Sequence, residues 1–222
     1  MIKSNSKRSK RLISILNLYF LSNFIGLIIE LYKYKVYSNH QFNPILDDWE
    51  TEYDFPDVIQ FDMYAGLFAF LFIPIFIITI IRFIKWFRRS YCNLNRVGID
   101  TNKKEGWAAG SWFIPIYNLG APESIMKEIW EKTQKFYTNN IEDNEIITKW
   151  WILWITTLIL NSQSDKIASF LMEDNTLQAQ IIISIISYIL YIPLTYITIK
   201  LVKKVSIFED EMYKKATSDL NE

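Results

Sequence analysis

Histidine and cysteine supply most nucleophiles, proton relays and transition-metal ligands, and this chain has one of each, His40 and Cys92. Zinc needs several such ligands and a thiol nucleophile needs a base beside it, so neither chemistry can be assembled within one chain. No GxxxxGK[ST] or GxGxxG run is present to cradle phosphates, and the six glycines are scattered. Cys92 lies among Arg88, Arg89 and Arg96, whose charges favour a thiolate, although a reduced thiol with no role is the commoner state of such a residue. The run DDWETEYDFPD, Asp47 to Asp57, has carboxylates for calcium but neither the glycine nor the spacing of an EF-hand loop, so a solvated acidic loop is the simpler expectation. Trp107, Trp112 and Trp130 could line a ligand groove, or anchor the chain at lipid headgroups, which is the commoner use. A lipid-modifying enzyme would need an acid or base among Asp100, Glu105 and Glu123. No catalytic constellation, cofactor or metal site is expected.

The elements that must hold these residues follow from where the apolar side chains fall. The 222 residues are 50% hydrophobic and 22% charged, with 24 basic and 24 acidic side chains. Zero net charge excludes a globally basic nucleic-acid binder, a single cysteine excludes a disulfide framework, and this apolar content excludes disorder. Mean hydropathy is only +0.08 because four apolar blocks alternate with charged segments, the pattern of a small polytopic membrane protein. Spans are expected at 12–32, 64–84, 146–162 and 181–202, with an outer acidic loop at 33–63, a cytoplasmic module at 86–145 and a cytoplasmic tail at 203–222. The first span follows a basic stretch, Lys3 to Arg11, and is too long for a signal peptide. The third is the weakest: its charge-free run, Trp150 to Leu160, falls short of the ~20 residues a crossing needs. A helix capped by Asn140, with Glu142 and Asp143 in its first turn, would lengthen it. With both termini cytoplasmic, only Lys33, Lys35 and Lys166 of the 24 basic residues lie outside, as the positive-inside bias requires.

Within the first span Ser22, Asn23, Gly26 and Glu30 share one helical face, which should look into the bundle. Glu30 invites a proton or cation role. Counted from Leu12 at about 1.5 Å per residue, however, it sits ~27 Å across a core of ~30 Å, where an interfacial carboxylate is the simpler reading. Pro74 and Pro193 should each kink a span. The similarity of FIPIFIITI at Phe72 and YIPLTYITI at Tyr191 could be a duplicated unit or a coincidence of Ile-rich sequence.

The module opens with WFRRSYCNLNRVG from Trp86, where Trp86 and Tyr91 suit an interfacial belt. It continues with GWAAGSWFIPIYNLGAP from Gly106, too interrupted to cross as a helix. From Pro122 to Tyr137, Ile125, Met126, Ile129, Trp130, Phe136 and Tyr137 recur at helical spacing, with Glu123, Lys127, Glu128, Glu131, Lys132 and Lys135 elsewhere, an amphipathic helix entered at a proline. The ordered set Trp86, Asn93, Leu94 and Gly98, then Trp107, Gly110, Trp112, Phe113, Ile114 and Pro115, then Asn118, Leu119, Pro122, Ile129 and Trp130 resembles the bacterial membrane family named domain of unknown function 4328. The resemblance implies a four-span integral membrane protein and implies no activity.

The fold class expected is therefore all-α: a four-helix membrane bundle in the bacterial inner membrane, with an interfacial Trp/Gly/Pro-rich segment and an amphipathic helix between spans two and three. The expected function is a non-catalytic membrane interaction or regulatory role. The surface expected to serve it comprises Trp86, Asn93, Trp107, Gly110, Trp112, Pro115, Asn118, Pro122 and Trp130, and its partners are the lipid bilayer and a membrane or cytoplasmic protein, not nucleic acid. A small transporter or channel subunit is the alternative.

Overall fold

The computed structural model describes residues 2–39, 56–171 and 176–218, and among them every regular element is helical. His40 and most of the acidic run considered for calcium lie outside the described residues. The chain runs α1 (Ser6–Asn39), α2 (Pro56–Arg96), the short α3 (Trp107–Gly110), a 3-10 turn (Tyr117–Leu119), α4 (Ala121–Lys135), α5 (Glu145–Ser162), α6 (Ser164–Leu171) and α7 (Thr176–Ser218). Among the described residues three helices are long and apolar enough to cross a membrane: α1, α2 and α7, whose most apolar windows have mean hydropathies of 2.0, 2.7 and 2.0.

At about 1.5 Å per residue the 41 and 43 residues of α2 and α7 reach ~60 Å, twice the thickness of a hydrocarbon core. Both run unbroken through their prolines, Pro74 and Pro193. The surplus length lies beyond the basic residues. There α2 continues from Lys85 to Arg96 and ends on Gly98, whose φ of 81° permits a Schellman closure: Gly98 N–H to the Asn95 carbonyl at 3.1 Å and Ile99 N–H to Leu94 at 3.0 Å. Trp86 to Gly98 is thus mostly helix rather than the opening of a loop. Residues 203–218 likewise prolong α7, with Val205, Phe208 and Met212 buried, so this stretch is a packed helix instead of a free tail.

α1 packs antiparallel to both. Tyr19 meets Phe72 and Phe76 of α2 at ring distances of 5.6 and 6.0 Å, and Arg8 donates to the Lys85 carbonyl at 3.0 Å. Asn5, just before α1, and Tyr34 near its far end meet Glu209 and Gln178 of α7. α2 and α7 therefore run the same way, and the chain must return between them. It does so along α7: Glu142, just before α5, pairs with Lys204 at 2.6 Å, Asn161 reaches Tyr191 at 3.3 Å, and Asp165 of α6 accepts from Gln180 at 3.2 Å. α5 starts five residues after Asn140, which does not cap it; the Glu145 N–H is met by the Asp143 carboxylate at 3.1 Å.

Burial divides the molecule. The apolar window of α2 is only 6% buried by protein, whereas beyond Lys85 the same helix buries Trp86, Phe87, Tyr91 and Leu94 completely. These join Ile125, Met126, Ile129 and Trp130 of α4, Ile147 and Trp150 of α5, and Leu201, Val202, Val205, Phe208 and Met212 of α7 in the main core. The buried apolar side chains thus concentrate at the basic end of the bundle. Trp86 and Tyr91, expected in an interfacial belt, are interior residues.

Candidate functional site

The loop between α3 and α4 is held to the helices around it by inserted and stacked aromatic side chains and an indole hydrogen bond. Trp112 stands edge-on among rings of α2 and α5: Phe83 at 5.5 Å, Phe87 at 5.7 Å, Trp154 at 5.8 Å, Trp151 at 6.2 Å and Trp150 at 6.4 Å. Edge-to-face contacts of this kind place the positive ring edge on the negative face of its neighbour. Trp151 then donates its indole N–H to the Leu119 carbonyl at 3.2 Å, and Trp107 lies on Tyr117 at 4.7 Å. Between these anchors the loop turns its apolar side chains outward: Phe113 is 73% exposed and Ile116 83%, with Ile114, Pro115, Tyr117 and Leu119 exposed beside them.

The remaining members of the sequence pattern serve the core. Trp130 is buried and donates to the Glu142 carbonyl at 2.9 Å, tying α4 to the start of α5. Pro122 occupies the first turn of α4 and is buried. Asn118 is a turn residue, its N–H bonded to Ile114 at 2.8 Å, while its side-chain oxygen is buried with no partner among the described residues. Gly110 has open space where a Cβ would sit, so nothing steric demands glycine there. The three tryptophans thus do not share one groove: Trp112 plugs the aromatic cluster, Trp130 is interior and Trp107 flanks the exposed loop.

Two buried carboxylates went unnoticed in the sequence. Glu128, assigned to the polar face of α4, is only 6% exposed and binds Lys132 at 2.6 Å, the Tyr91 hydroxyl at 2.9 Å and the Asn102 N–H at 2.7 Å. It follows Ile125 by three positions, which puts it on the buried stripe, and that spacing was its signal. Glu209 is 4% exposed and receives the Asn5 amide at 3.1 and 3.3 Å, and Asn5 also donates to Ser90 at 3.0 Å. Next to it Asn93 pairs with both peptide groups of Lys3, donating to its carbonyl at 2.9 Å and accepting its N–H at 3.4 Å, while Arg96 donates to the Asn93 oxygen at 3.2 Å. This knot joins the N-terminal segment, the end of α2 and the extension of α7. Burial pushes the Glu209 carboxyl up to about 7, against the lowering effect of its Asn5, Ser90 and Asn93 hydrogen bonds.

The candidate acids and bases have separate partners: Glu123 pairs with Lys127 at 2.7 Å, and Glu105 bonds Cys92. The Cys92 thiol is buried, and burial with Glu105 beside it raises its pKa against the arginines, which favours the protonated thiol over the thiolate. Among the described residues no group of three or more His, Cys, Asp and Glu side chains could hold a metal ion.

Described residues whose regular elements are all helical, with three helices long and apolar enough to cross a membrane, define the class of α-helical membrane proteins. The chain belongs to the family described as Domain of unknown function (DUF4328), whose sequence model matches residues 52–206. The match spans α2 to most of α7 and leaves α1 outside it. No curated protein and no solved structure matches the chain.

Proposed function

We propose that this protein is a four-crossing membrane protein of the bacterial inner membrane, with both termini cytoplasmic, that works without catalysis as an interaction or regulatory component. The third crossing is the broken pair α5 and α6, supported by their antiparallel course along α7 from Lys204 to Gln180. The basic end of the bundle, with its buried apolar core, is the cytoplasmic end.

The observation that carries the reading is the exposed apolar loop Phe113–Leu119. Its side chains have no protein cover, yet its backbone is clamped by Trp112 and Trp151 at the level where α2 passes from bare apolar surface into buried core. Such a loop rests in the headgroup and upper acyl region, adding apolar contact below a folded cytoplasmic body. That body is the surface offered to a lipid headgroup or a protein partner. The test places a bimane on Ile116→Cys in a Cys92→Ser background, in liposomes containing lipids brominated near the headgroup. Strong quenching is expected; a probe quenched only by aqueous iodide would show the loop in water and remove the basis of the reading.

A further inference from the structure

In the half of the bundle away from the basic end, a cavity of about 270 Å³ lies between the long helices, and α1, α2, α5 and α7 all contribute to its wall. Its lining is mainly aromatic: Tyr19 and Phe72 and Phe76, the last two nearly parallel at 6.3 Å, face Tyr188 and Tyr191. One formal charge enters it, Glu30. The Glu30 Oε2 atom is buried and has no hydrogen-bond donor among the described residues. Lys33, about one turn on, is half-buried and sits over the Tyr37 ring at 5.7 Å, outside the lining. The stripe Ser22, Asn23, Gly26 and Glu30 does face inward, as its spacing requires, and the interfacial reading of Glu30 is incomplete because its partly buried carboxylate also lines this half-open cleft between the helices.

An anionic oxygen without a donor, in a space walled by ring faces, has a defined complement. Carboxylate and aromatic quadrupoles both attract a cation, and the rings also welcome an apolar body. A hard inorganic cation is held by several charged or carbonyl oxygens, whereas this lining brings one carboxylate, Glu30, among hydroxyls, a single amide and a majority of aromatic rings. The volume is just below the range that holds drug-sized ligands, which limits the guest to a small molecule. We propose that this cavity is a binding site for a small organic monocation, a substituted ammonium with an apolar or aromatic portion, held by Glu30 through charge and by Phe72, Phe76 and Tyr188 through their rings.

The approach of α1 to α7 sets the size of the site. At Gly26 a Cβ would meet the Tyr188 ring well inside van der Waals contact, so any side chain there drives Tyr188 out of place. The proposal needs the bundle to be intact but not the interfacial role of the loop at Ile116, and it is read by ligand binding rather than by lipid quenching, so the two can fail separately.

The experiment uses the full chain in detergent micelles and measures calorimetrically the binding of benzyltrimethylammonium and of its neutral carbon isostere, neopentylbenzene. Saturable one-to-one binding of the cation, at least tenfold tighter than any binding of the isostere, is expected. Glu30→Gln should weaken it at least tenfold, and Gly26→Ala and Phe76→Leu should weaken it too. Lys203→Ala, an exposed residue at the other end, should leave it unchanged. If Glu30→Gln does not fold, Phe76→Leu and the isostere comparison still decide. Equal binding of cation and isostere, full affinity in Glu30→Gln, displacement by sodium alone at equal concentration, or no binding by the parent protein would each overturn the proposal.

Discussion

Glu209 is the residue whose environment is most at odds with its charge. It is buried beside neutral donors with Asp210 next to it, and no cationic side chain among the described residues makes a salt bridge to it. Its folded pKa of about 7 exceeds the ordinary carboxyl value of 4.5, so the native state holds the proton more tightly than the unfolded chain. The stability linked to this group is fully present below pH 4.5 and is lost as pH rises through 7. Each pH unit between the two values corresponds to roughly 1.4 kcal/mol, which makes the effect on the order of 3 kcal/mol. Thermal unfolding in detergent should therefore show higher stability at pH 5 than at pH 8, and Glu209→Gln should be the more stable protein at pH 8 with most of that difference gone. A wild-type midpoint equally high at both pH values would mean that the buried carboxylate is compensated by a cation. The acceptor oxygen of Asn5 is itself buried with no partner among the described residues, which is where a protonated Glu209 or a glutamine could donate.

At the scale of elements, the segment between α3 and α4 depends on Trp112 more than on its length or composition. Its ring closes a cluster drawn from two helices, and the loop it carries is otherwise exposed. Trp112→Ala should cost roughly 3 to 5 kcal/mol, the usual loss for a packed tryptophan, while Phe113→Ala, one residue on and outside the cluster, should cost less than ~1 kcal/mol in detergent. Equal effects at the two positions would show that the cluster does not bear on stability. Helix α4 is tied in differently, through Trp130 to Glu142 and through Glu128 to Tyr91 and Asn102. Losing either partner would strand a buried polar group, which costs more than the hydrogen bond contributes when made.

For the whole molecule the decisive quantity is direction. α2 and α7 lie parallel, both antiparallel to α1, so the start of α1, the segment from Gly98 to Lys149 and the end of α7 belong on one side if the path α5 to α6 crosses. A cysteine at the exposed Lys104, in a Cys92→Ser background, should resist an impermeant maleimide in intact cells and react in inside-out vesicles. Labelling in intact cells would invert the topology. α1 lies outside the family match, yet it packs against both α2 and α7, follows directly from Asn5 in the knot at one end and lends Glu30 to the cavity at the other. In this chain one helix that the family match does not include thus contributes to both ends of the bundle.

Composition and hydropathy were sufficient for the helical class, because a bare apolar run must pair its own backbone in lipid and only a helix can do so locally. The family pattern was legible as well, since it is an ordered set of residue types that needs no coordinates, and the inward face of Ser22, Asn23, Gly26 and Glu30 followed from helical period alone. What the linear order left open was everything decided by surplus length. Nothing local told Trp86 to Arg96 or residues 203–218 to continue as helix, because charged helical extensions and solvated tails have similar composition. Their burial arises only when the two extensions meet α4 and the N-terminal segment. The same holds for Glu128 and Glu209, whose neighbours come from distant parts of the chain, and for the cavity at Glu30, which exists only because four helices surround it and Gly26 lets two of them come close. Periodicity shows which face of a helix is apolar; whether that face meets lipid, water or another helix is settled by packing.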